Sequence, residues 1–392
     1  MSAAYLHQLG IVCALGSGRE AVHAALQRAD AAGGVAPTTR YSPGRELHLG
    51  VAPGDWTPQP AWPLPLRSRN NALLAGALAQ LRPAFDVLAA GVDPARIGVV
   101  LGSSTSGIAE GEAAIATLEH TGAMPPGYHY GQQDLYSGAR FVAGEVGAAG
   151  PALTISTACS SGAKALASAA RWLRAGICDL VIAGGADSLC AFTVAGFSAL
   201  ESVSAARCNP LSANRCGINI GEGAALFLLS RQPAAVRLSG WGESSDAHHI
   251  SAPEPRGRGA EAAMRQALAR AGLSPKDIDY LNLHGTATPL NDLAESLAVH
   301  RVFGAQGPWC SSTKPLSGHA LGAAGAIEAG FCWLALQGDG WLPPHWWDGV
   351  ADPALAPLRL VAPGHRGTRP RHALSNSFAF GGNNAVVLMS TQ

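Results

Sequence analysis

A cysteine lies where a short β-branched apolar run gives way to a long stretch of small residues, in TISTACSSGAKALASAARWLRAG (154–176). The run predicts a strand that ends near Thr157, and the following stretch predicts a helix over 161–175 that Gly176 terminates. Free N–H groups and the macrodipole at a helix N-terminus favour a thiolate, which makes Cys159 a candidate nucleophile. An ordinary core cysteine is the alternative on this stretch alone.

A histidine follows a predicted strand in NLHGTATPLND (282–292). His284 ends the strand and enters a turn, where it is well placed to reach a cleft. Thr286 and Thr288 follow as supporting polar residues. Taken alone, the motif fits a hydrogen-bonded structural histidine better than a catalytic one.

A lysine and a second histidine flank a Pro-x-x-Gly turn in SSTKPLSGHALGAAGAIEAGF (311–331). Lys314 precedes the turn, His319 follows it, and a helix rich in Ala and Gly comes next. A lysine this close to an apolar helix is expected to be partly buried, so it needs a counter-charge, for which Glu328 is the nearest candidate. A lysine that reaches the surface along its own alkyl chain is the alternative.

A loop near the C-terminus, SNSFAFGGNN (375–384), holds two phenylalanines and two glycines between polar residues. No lysine follows the glycines, so the loop does not fit a phosphate-binding motif. The pattern favours a gate or an oxyanion loop around Phe380.

The composition excludes several broad classes of function. Of the 392 residues, 47% are hydrophobic and 14% charged, and the formal net charge of zero argues against nucleic-acid binding as the main function. No signal peptide is predicted, because the N-terminal stretch MSAAYLHQLGIVCALGSG has no basic region before a long apolar core. No membrane span is predicted, because no apolar run reaches about 18 residues without a polar break. The eight cysteines show no C-x-x-C spacing, so neither a zinc site nor a disulfide framework is expected, and the chain is predicted to be cytoplasmic.

The elements that must position these residues form two α/β halves. In the first half, strands are predicted at 96–104, 151–156 and 179–187, and the helix between the last two makes a βαβ unit with parallel strands. The segment 31–66, rich in Gly and Pro, is predicted to be loop. In the second half, 234–244 opens with a predicted strand, 277–285 is a strand that runs into a turn, and 372–390 is a strand, a loop and a final strand. Helices are predicted at 260–271, 292–302 and 322–336. We therefore predict halves at 1–234 and 235–392.

Together these motifs resemble the elongating, two-histidine type of β-ketoacyl-[acyl-carrier-protein] synthase. The matching stretches, which follow the family's order over essentially the whole chain, are TACSSGAKAL, NPLSANRCGINIGEGAALFLL, SDAHHISAPEP, LHGTATPLND, TKPLSGHALGAAGAIEA and SNSFAFGGNNAVV. The resemblance implies a thiolase-type fold with two similar halves in five α-β-α-β-α layers. It also implies a dimer and a chain-elongating Claisen condensation in fatty acid or polyketide synthesis that requires no metal or redox cofactor.

The same resemblance implies roles for the candidate residues. Cys159 would take the acyl group from an acyl carrier protein, and His284 and His319 would serve the decarboxylation of malonyl carrier protein. Lys314, opposite Glu328, would hold and polarise the histidine region.

The loop around Phe380 also receives a role from the resemblance. The backbone N–H groups of Cys159 and Phe380 would form the oxyanion hole, and the Phe380 ring would gate the acyl pocket, for which Ile108 is a candidate lining residue. Ala379 and Asn383 stand where the family commonly has glycine and threonine, which affects the predicted motion of the gate and the substrate range.

The acyl carrier protein is acidic, so a basic docking surface is expected. The candidates are Arg67, Arg69, Arg207 and Arg215. Scattered solvated arginines are an equally good explanation.

Three alternatives remain open at this point. The chain could be another acyltransferase of the thiolase family, although a thiolase would need a second catalytic cysteine and an initiating synthase would have Asn in place of His319. It could be a non-catalytic chain-length subunit, which the presence of Cys159 argues against. It could also be the active half of a heterodimer. Some of its sequence segments resemble the synthases of aryl-polyene-type pathways more than the synthases of housekeeping fatty acid elongation.

Overall fold

The computed structural model describes residues 4–28 and 33–392. Its strands are β1 (Ala4–Cys13), β2 (Gly16–Ser17), β3 (Val35–Thr38), β4 (Leu47–Gly50), β5 (Ile97–Gly102), β6 (Ala152–Ile155), β7 (Leu180–Asp187), β8 (Gly223–Ser230), β9 (Val236–Ser245), β10 (Tyr280–Asn282), β11 (Trp309–Ser311), β12 (Arg359–Leu360), β13 (His372–Ala379) and β14 (Asn383–Thr391). Its α-helices are α1 (Arg19–Gln27), α2 (Arg69–Ala89), α3 (Ile108–Thr121), α4 (Ser137–Val146), α5 (Ser161–Arg174), α6 (Ala191–Ala199), α7 (Arg258–Ala271), α8 (Pro289–Phe303), α9 (Lys314–Ser317) and α10 (Ala324–Gln337).

The two halves of the chain build sheets of the same topology. The first half has the strand order β1-β8-β7-β5-β6 and the second has β9-β14-β13-β10-β11. In both, the first two neighbouring pairs are antiparallel and the last two are parallel. A short antiparallel contact between β1 and β9 joins the two sheets. The proposed boundary at residue 235 falls directly before β9.

Five layers follow from the way the helices cover these sheets. The helices α5 and α10 pack against each other and lie between the two sheets, in the largest apolar cluster. The helices α2 and α4 cover the outer face of the first sheet, and α7 and α8 cover the outer face of the second. This is the predicted α-β-α-β-α arrangement of the thiolase-type fold.

Small residues allow the two central helices to approach closely. A Cβ atom added to Gly162 would lie 2.8 Å from the backbone nitrogen of Ala326, and one added to Gly325 would lie 2.9 Å from that of Ala163. Contacts this short leave no room for larger side chains, which explains the alanines and glycines in both helices.

The structure corrects three predicted elements. The segment 31–66 is not all loop, because β3 and β4 form an antiparallel hairpin within its described part, 33–66. The strands of the βαβ unit, β6 and β7, are parallel as predicted, but β5 lies between them and pairs with both. Within 277–285, where a strand running into a turn is predicted, the strand itself covers only Tyr280–Asn282.

One described helix, α2, is long and apolar enough to cross a membrane by length and composition. Its apolar side chains pack into the core of the first half, with Leu74, Leu78 and Leu81 among them. Packing against β1 and β8 therefore accounts for the apolar character of this helix.

A buried carboxylate joins α2 to the rest of the first half. Glu222 is fully buried, and its carboxylate accepts hydrogen bonds from the Ala52 amide and the Leu189 amide, both at 3.1 Å. It also forms an ion pair with Arg69, whose side chain is 15% exposed. One side chain thus holds three separate segments together.

Replacing this carboxylate should destabilise the fold. We expect Glu222→Gln to lower the free energy of unfolding by about 3 kcal/mol, because the Arg69 charge is left without its buried partner. Urea denaturation measures this value. The control is Asp86→Asn, which breaks the exposed Arg82–Asp86 pair and should cost less than about 1 kcal/mol. Equal effects of the two substitutions would contradict the structural role of Glu222.

Candidate active site

Cys159 lies on the tight turn between β6 and α5, as the sequence predicts. The turn places Ala158 at φ 50°, in the left-handed region that a residue with a Cβ rarely adopts. The Ser161 hydroxyl stabilises the turn, since it accepts a hydrogen bond from the Thr157 amide at 2.9 Å and donates one to the Ala158 carbonyl at 2.6 Å. The Cys159 side chain is therefore presented at the start of the central helix.

His319 is fixed through its backbone in the loop between α9 and α10. Its amide donates to the carbonyl of Asn219 at 2.7 Å, and its carbonyl accepts from the amide of Gly221 at 2.9 Å. Asp187, at the end of β7, holds the next turn by accepting a hydrogen bond from the Gly322 amide at 2.6 Å. The same carboxylate accepts from the Thr105 amide at 2.9 Å, so it connects the loop after β5 to the loop of His319.

His284 is held from both sides by buried charged groups. Its amide donates to Glu295 of α8 at 2.8 Å, and its carbonyl accepts a hydrogen bond from the ammonium group of Lys314. That ammonium group also forms an ion pair with Glu328 of α10, and both side chains are almost fully buried. The predicted pairing of Lys314 with Glu328 is present, and the pair acts on the backbone of His284.

These supports bring three reactive side chains together in the interior. The Cys159 sulfur lies 3.0 Å from Nε2 of His319. The rings of His284 and His319 meet edge to face, with centroids 5.4 Å apart. The nearest nitrogen and sulfur atoms of the three residues all lie within 4.8 Å of one another. The arrangement suits proton exchange between sulfur and imidazole, and two imidazoles are available to one substrate atom.

Burial keeps these groups uncharged. It raises the pKa of the Cys159 thiol to about 12, although the nearby Lys314 ammonium group opposes the shift. Burial and Lys314 together hold the pKa values of His284 and His319 well below their usual range. The expectation that the helix N-terminus makes Cys159 a thiolate was wrong for the resting state, because loss of solvation outweighs the field of the helix.

The same three residues are of the types that bind zinc. Two zinc ligands of these types at tetrahedral geometry would lie about 3.5 Å apart. The separation of 3.0 Å between Cys159 and His319 is shorter and fits a hydrogen bond. The buried Lys314 charge beside them further disfavours a cation, so the geometry fits proton transfer better than metal binding.

Two cavities meet at Cys159. The first, which we call the histidine cavity, has a volume of about 300 Å³ and is lined by His284, His319, Thr286 and Thr288. The second, the apolar cavity, has a volume of about 480 Å³. Its lining residues include Ile108, Phe192, Thr193, Gly196 and Leu321.

Phe380 lines both cavities, as does Cys159. Its ring lies 5.7 Å from the ring of Phe197, which also borders both spaces. An acyl chain attached to Cys159 therefore lies beside Phe380 where the two cavities meet. The position agrees with a gate, and the assignment of the Cys159 and Phe380 amides to an oxyanion hole stays a prediction.

The four arginines predicted for docking have different surroundings. Arg69 is paired with buried Glu222, and Arg215 forms an ion pair with Asp352 with only 9% of its side chain exposed. Both guanidinium groups are held inside the fold, which does not favour a docking role for them. Arg67 and Arg207 are half-buried and remain docking candidates.

Sequence reasoning missed the carboxylates that orient the site. Asp187, Asp292 and Glu295 are almost fully buried. Asp292 accepts from the amide of Leu211 at 2.8 Å and from that of Ala287 at 3.2 Å, so it shapes the turn after His284. The available signal for Asp187 was an acidic residue at the end of an apolar strand. For Asp292 and Glu295 it was a pair of acidic residues on one helix directly after the His284 motif.

Comparison with known proteins identifies the family. The description "Beta-ketoacyl synthase, N-terminal domain" matches residues 85–235, and "Beta-ketoacyl synthase, C-terminal domain" matches residues 235–346. The chain belongs to the β-ketoacyl synthase family. This ketosynthase is accordingly an acyltransferase that elongates acyl chains by condensation.

Curated relatives of the ketosynthase support this membership. Nodulation protein E of Rhizobium meliloti (strain 1021) is 38% identical over 304 residues, which are 74% of this chain and 75% of that protein. The 3-oxoacyl-[acyl-carrier-protein] synthase 2 of Staphylococcus aureus is 35% identical over 312 residues, 75% of this chain and 76% of that one.

Solved structures agree over the full length of the ketosynthase. The ketosynthase ApeO in complex with its chain length factor ApeC, from Xenorhabdus doucetiae, matches at 41% identity and a TM-score of 0.91, covering 100% of this chain and 98% of that one. A β-ketoacyl synthase from Burkholderia phymatum STM815 matches at 28% identity and a TM-score of 0.89, with 100% of both chains covered.

The raised pKa of Cys159 predicts how the free ketosynthase reacts with alkylating agents. Because the thiolate is the reactive form, the rate of Cys159 alkylation by iodoacetamide should rise about tenfold per pH unit between pH 7 and pH 9 without a plateau. Peptide mass spectrometry separates Cys159 from the exposed Cys216, which serves as the internal control. A plateau below pH 8 would contradict a thiol that is protonated at rest.

Proposed function

We propose that this ketosynthase carries an acyl chain on Cys159 and condenses it with malonyl-[acyl-carrier-protein], with His284 and His319 acting on the malonyl unit. The product is a 3-oxoacyl-[acyl-carrier-protein] that is two carbons longer. The observation that carries the proposal is the 3.0 Å contact between the Cys159 sulfur and His319 Nε2, in a buried site that also contains His284.

In the first half-reaction the acyl group moves from the carrier thioester to Cys159. As the sulfur attacks the thioester carbonyl carbon, Nε2 of His319 accepts the thiol proton. The bond between the carbonyl carbon and the phosphopantetheine sulfur breaks, and the proton passes to that leaving thiolate. Because the pKa of His319 lies well below its usual range, the imidazole takes the thiol proton only as the new carbon–sulfur bond forms, and the resulting imidazolium then gives the proton up readily.

In the second half-reaction the malonyl group loses carbon dioxide. Neutral imidazoles each carry one N–H. With Cys159 acylated, His319 no longer accepts the thiol proton at Nε2, and in its Nε2–H tautomer it joins the N–H group of His284 in stabilising the oxygen of the enolate that forms. The enolate carbon attacks the acyl carbonyl on Cys159, the carbon–sulfur bond to Cys159 breaks, and the departing thiolate takes up a proton from solvent to restore the resting thiol. Lys314 and Glu328 fix the position of His284, because Lys314 donates a hydrogen bond to the His284 carbonyl and pairs with Glu328.

The proposal is tested by intact mass after exposure to acyl carrier proteins with saturated, polyunsaturated and aryl-primed chains. We expect an acyl adduct on the wild-type protein and none on Cys159→Ala, and the preferred chain indicates the substrate class. His284→Ala should keep the adduct and lose malonyl decarboxylation, because His319 rather than His284 contacts the sulfur.

Two results would contradict the proposed roles of Cys159 and His284. An adduct that persists in Cys159→Ala would end the nucleophile assignment. Unchanged decarboxylation by His284→Ala, measured as release of carbon dioxide from malonyl carrier protein, would remove this histidine from the second half-reaction. Thermal unfolding of each variant shows whether the fold is retained.

The surface beside the apolar cavity supports an assembly with a related subunit. Apolar side chains of α3 and α6 are exposed there, with 53% of Ile115 and 68% of Phe192 accessible. The outer edge of β6 also lacks a neighbouring strand among the described residues. Exposed apolar faces and unpaired strand edges mark association surfaces. Since ApeO, 41% identical, is described in complex with its chain length factor, a chain-length subunit is the partner we favour over a second copy.

Association through this face is tested by a charged substitution. We expect Ile115→Asp to abolish the dimer in multi-angle light scattering, because a carboxylate buried in an apolar interface loses its solvation. The matched control is Val87→Asp on α2, since Val87 is 75% exposed and lies away from α3 and α6. A stable dimer of the chain alone would favour a homodimer, and a dimer that forms only with a co-expressed chain length factor would favour a heterodimer. A dimer unaffected by Ile115→Asp would place the interface elsewhere.

The proposal also includes the carrier protein, the pathway and the cellular location. Acyl carrier protein is the expected donor and acceptor, with Arg67 and Arg207 as docking candidates. An aryl-polyene-type pathway and a cytoplasmic location are predictions from the sequence.

A further inference from the structure

The loop that carries Phe380 connects β13 to β14 through residues 379–383, and we call it the gating loop. Two of its backbone groups are tied to the segment after β9. The Gly381 amide donates to the Ile250 carbonyl at 2.7 Å, and the Gly382 carbonyl accepts from the Asp246 amide at 2.8 Å. These contacts hold one side of the loop.

The other side of the gating loop is held by a side chain from the nucleophile helix. The ammonium group of Lys164, on α5, donates a hydrogen bond to Oδ1 of Asn383 at 3.0 Å. No carboxylate lies within ion-pair distance of Lys164 in the described part of the chain. The amide of Asn383 is therefore the polar partner that the half-buried Lys164 has in this structure.

The position of Asn383 makes this contact important for the motion of Phe380. Gly381 and Gly382 have φ values of 78° and 71°, a region that glycine leaves and enters without steric cost. Asn383 is the first residue of β14 beyond them, where it pairs with Ala379 of β13 and Ser245 of β9. The bond from Lys164 adds a side-chain restraint from the nucleophile helix to this end of the loop.

We propose that Lys164 and Asn383 are positioning residues that restrain the gating loop and thereby limit which acyl chains pass Phe380 from the histidine cavity into the apolar cavity. Neither residue touches the reacting atoms. The inference rests on the proposed function, since it needs an acyl chain on Cys159. It also assigns a role to Asn383, which stands where related synthases commonly have threonine.

The test compares substitutions that weaken the contact with one that strengthens it. Lys164→Met and Asn383→Ala remove the hydrogen bond, whereas Asn383→Asp replaces it with a charge-assisted one. The measurement is the rate of Cys159 acylation by four-carbon and twelve-carbon acyl carrier proteins, followed by intact mass. Lys276→Met, which replaces an exposed lysine on the segment before β10, is the matched control.

We expect the two weakening variants to raise the twelve-carbon rate relative to the four-carbon rate by about threefold or more, and Asn383→Asp to lower this ratio below the wild-type value. General damage to the fold would move all three variants in one direction. A ratio that stays at the wild-type value in all three, or changes with the same sign, would overturn the inference.

The four-carbon chain separates this inference from the proposed function. Acylation of the wild type by that chain with unchanged ratios in the variants would refute the restraint alone. Absence of any wild-type adduct would refute the proposed function and the restraint with it. Thermal unfolding confirms that each variant is folded, and Asn383→Ala keeps the test valid if Lys164→Met does not fold.

Discussion

The buried contact between Lys314 and the backbone of His284 is the interaction on which the catalytic geometry depends. An ammonium group in an apolar interior is costly unless it is fully paired, and here Glu328 and the His284 carbonyl supply that pairing. Displacement of His284 would remove one of the two partners of this buried ammonium group, so the burial of Lys314 favours the observed position of His284. The central helix α10 contributes Glu328, so the requirement for a closed core and the requirement for a fixed imidazole are met by the same residue.

The same burial determines the charge state of the reacting groups. The Cys159 thiol and the two imidazoles are neutral, and the Lys314 ammonium group is paired. The charge that moves when malonate is decarboxylated is therefore that of the substrate carboxylate. Decarboxylation moves the negative charge from the carboxylate onto the enolate oxygen, where it needs N–H donors nearby. In the proposed mechanism His284 and His319 supply these donors, and proton transfer between Cys159 and His319 avoids a permanent ion pair.

Local signals in the sequence predicted the start of α5 and the position of Cys159 before it, because a strand, a turn and a helix are consecutive there. The local motifs left the roles of Cys159 and His284 open, and the family resemblance implied catalytic roles for these two residues and for His319. Long-range pairing was beyond those signals: β5 is inserted between β6 and β7, and the β3–β4 hairpin lies in a stretch rich in Gly and Pro. The thiolate was predicted from the helix N-terminus, which is local, and was outweighed by burial, which the whole fold produces. Glu295 and Asp187 were missed because they bind backbone amides that folding alone brings near.

Protonation of Cys159 at rest also protects it from oxidation. Peroxides attack thiolates, so a thiol with a pKa near 12 is oxidised to sulfenic acid far more slowly than an ordinary exposed cysteine. In the proposed mechanism the activated form arises when a thioester occupies the site and His319 takes the proton. A Cys159 thiol that is buried and protonated at rest is thus a poorer target for oxidants in solution than the exposed Cys216.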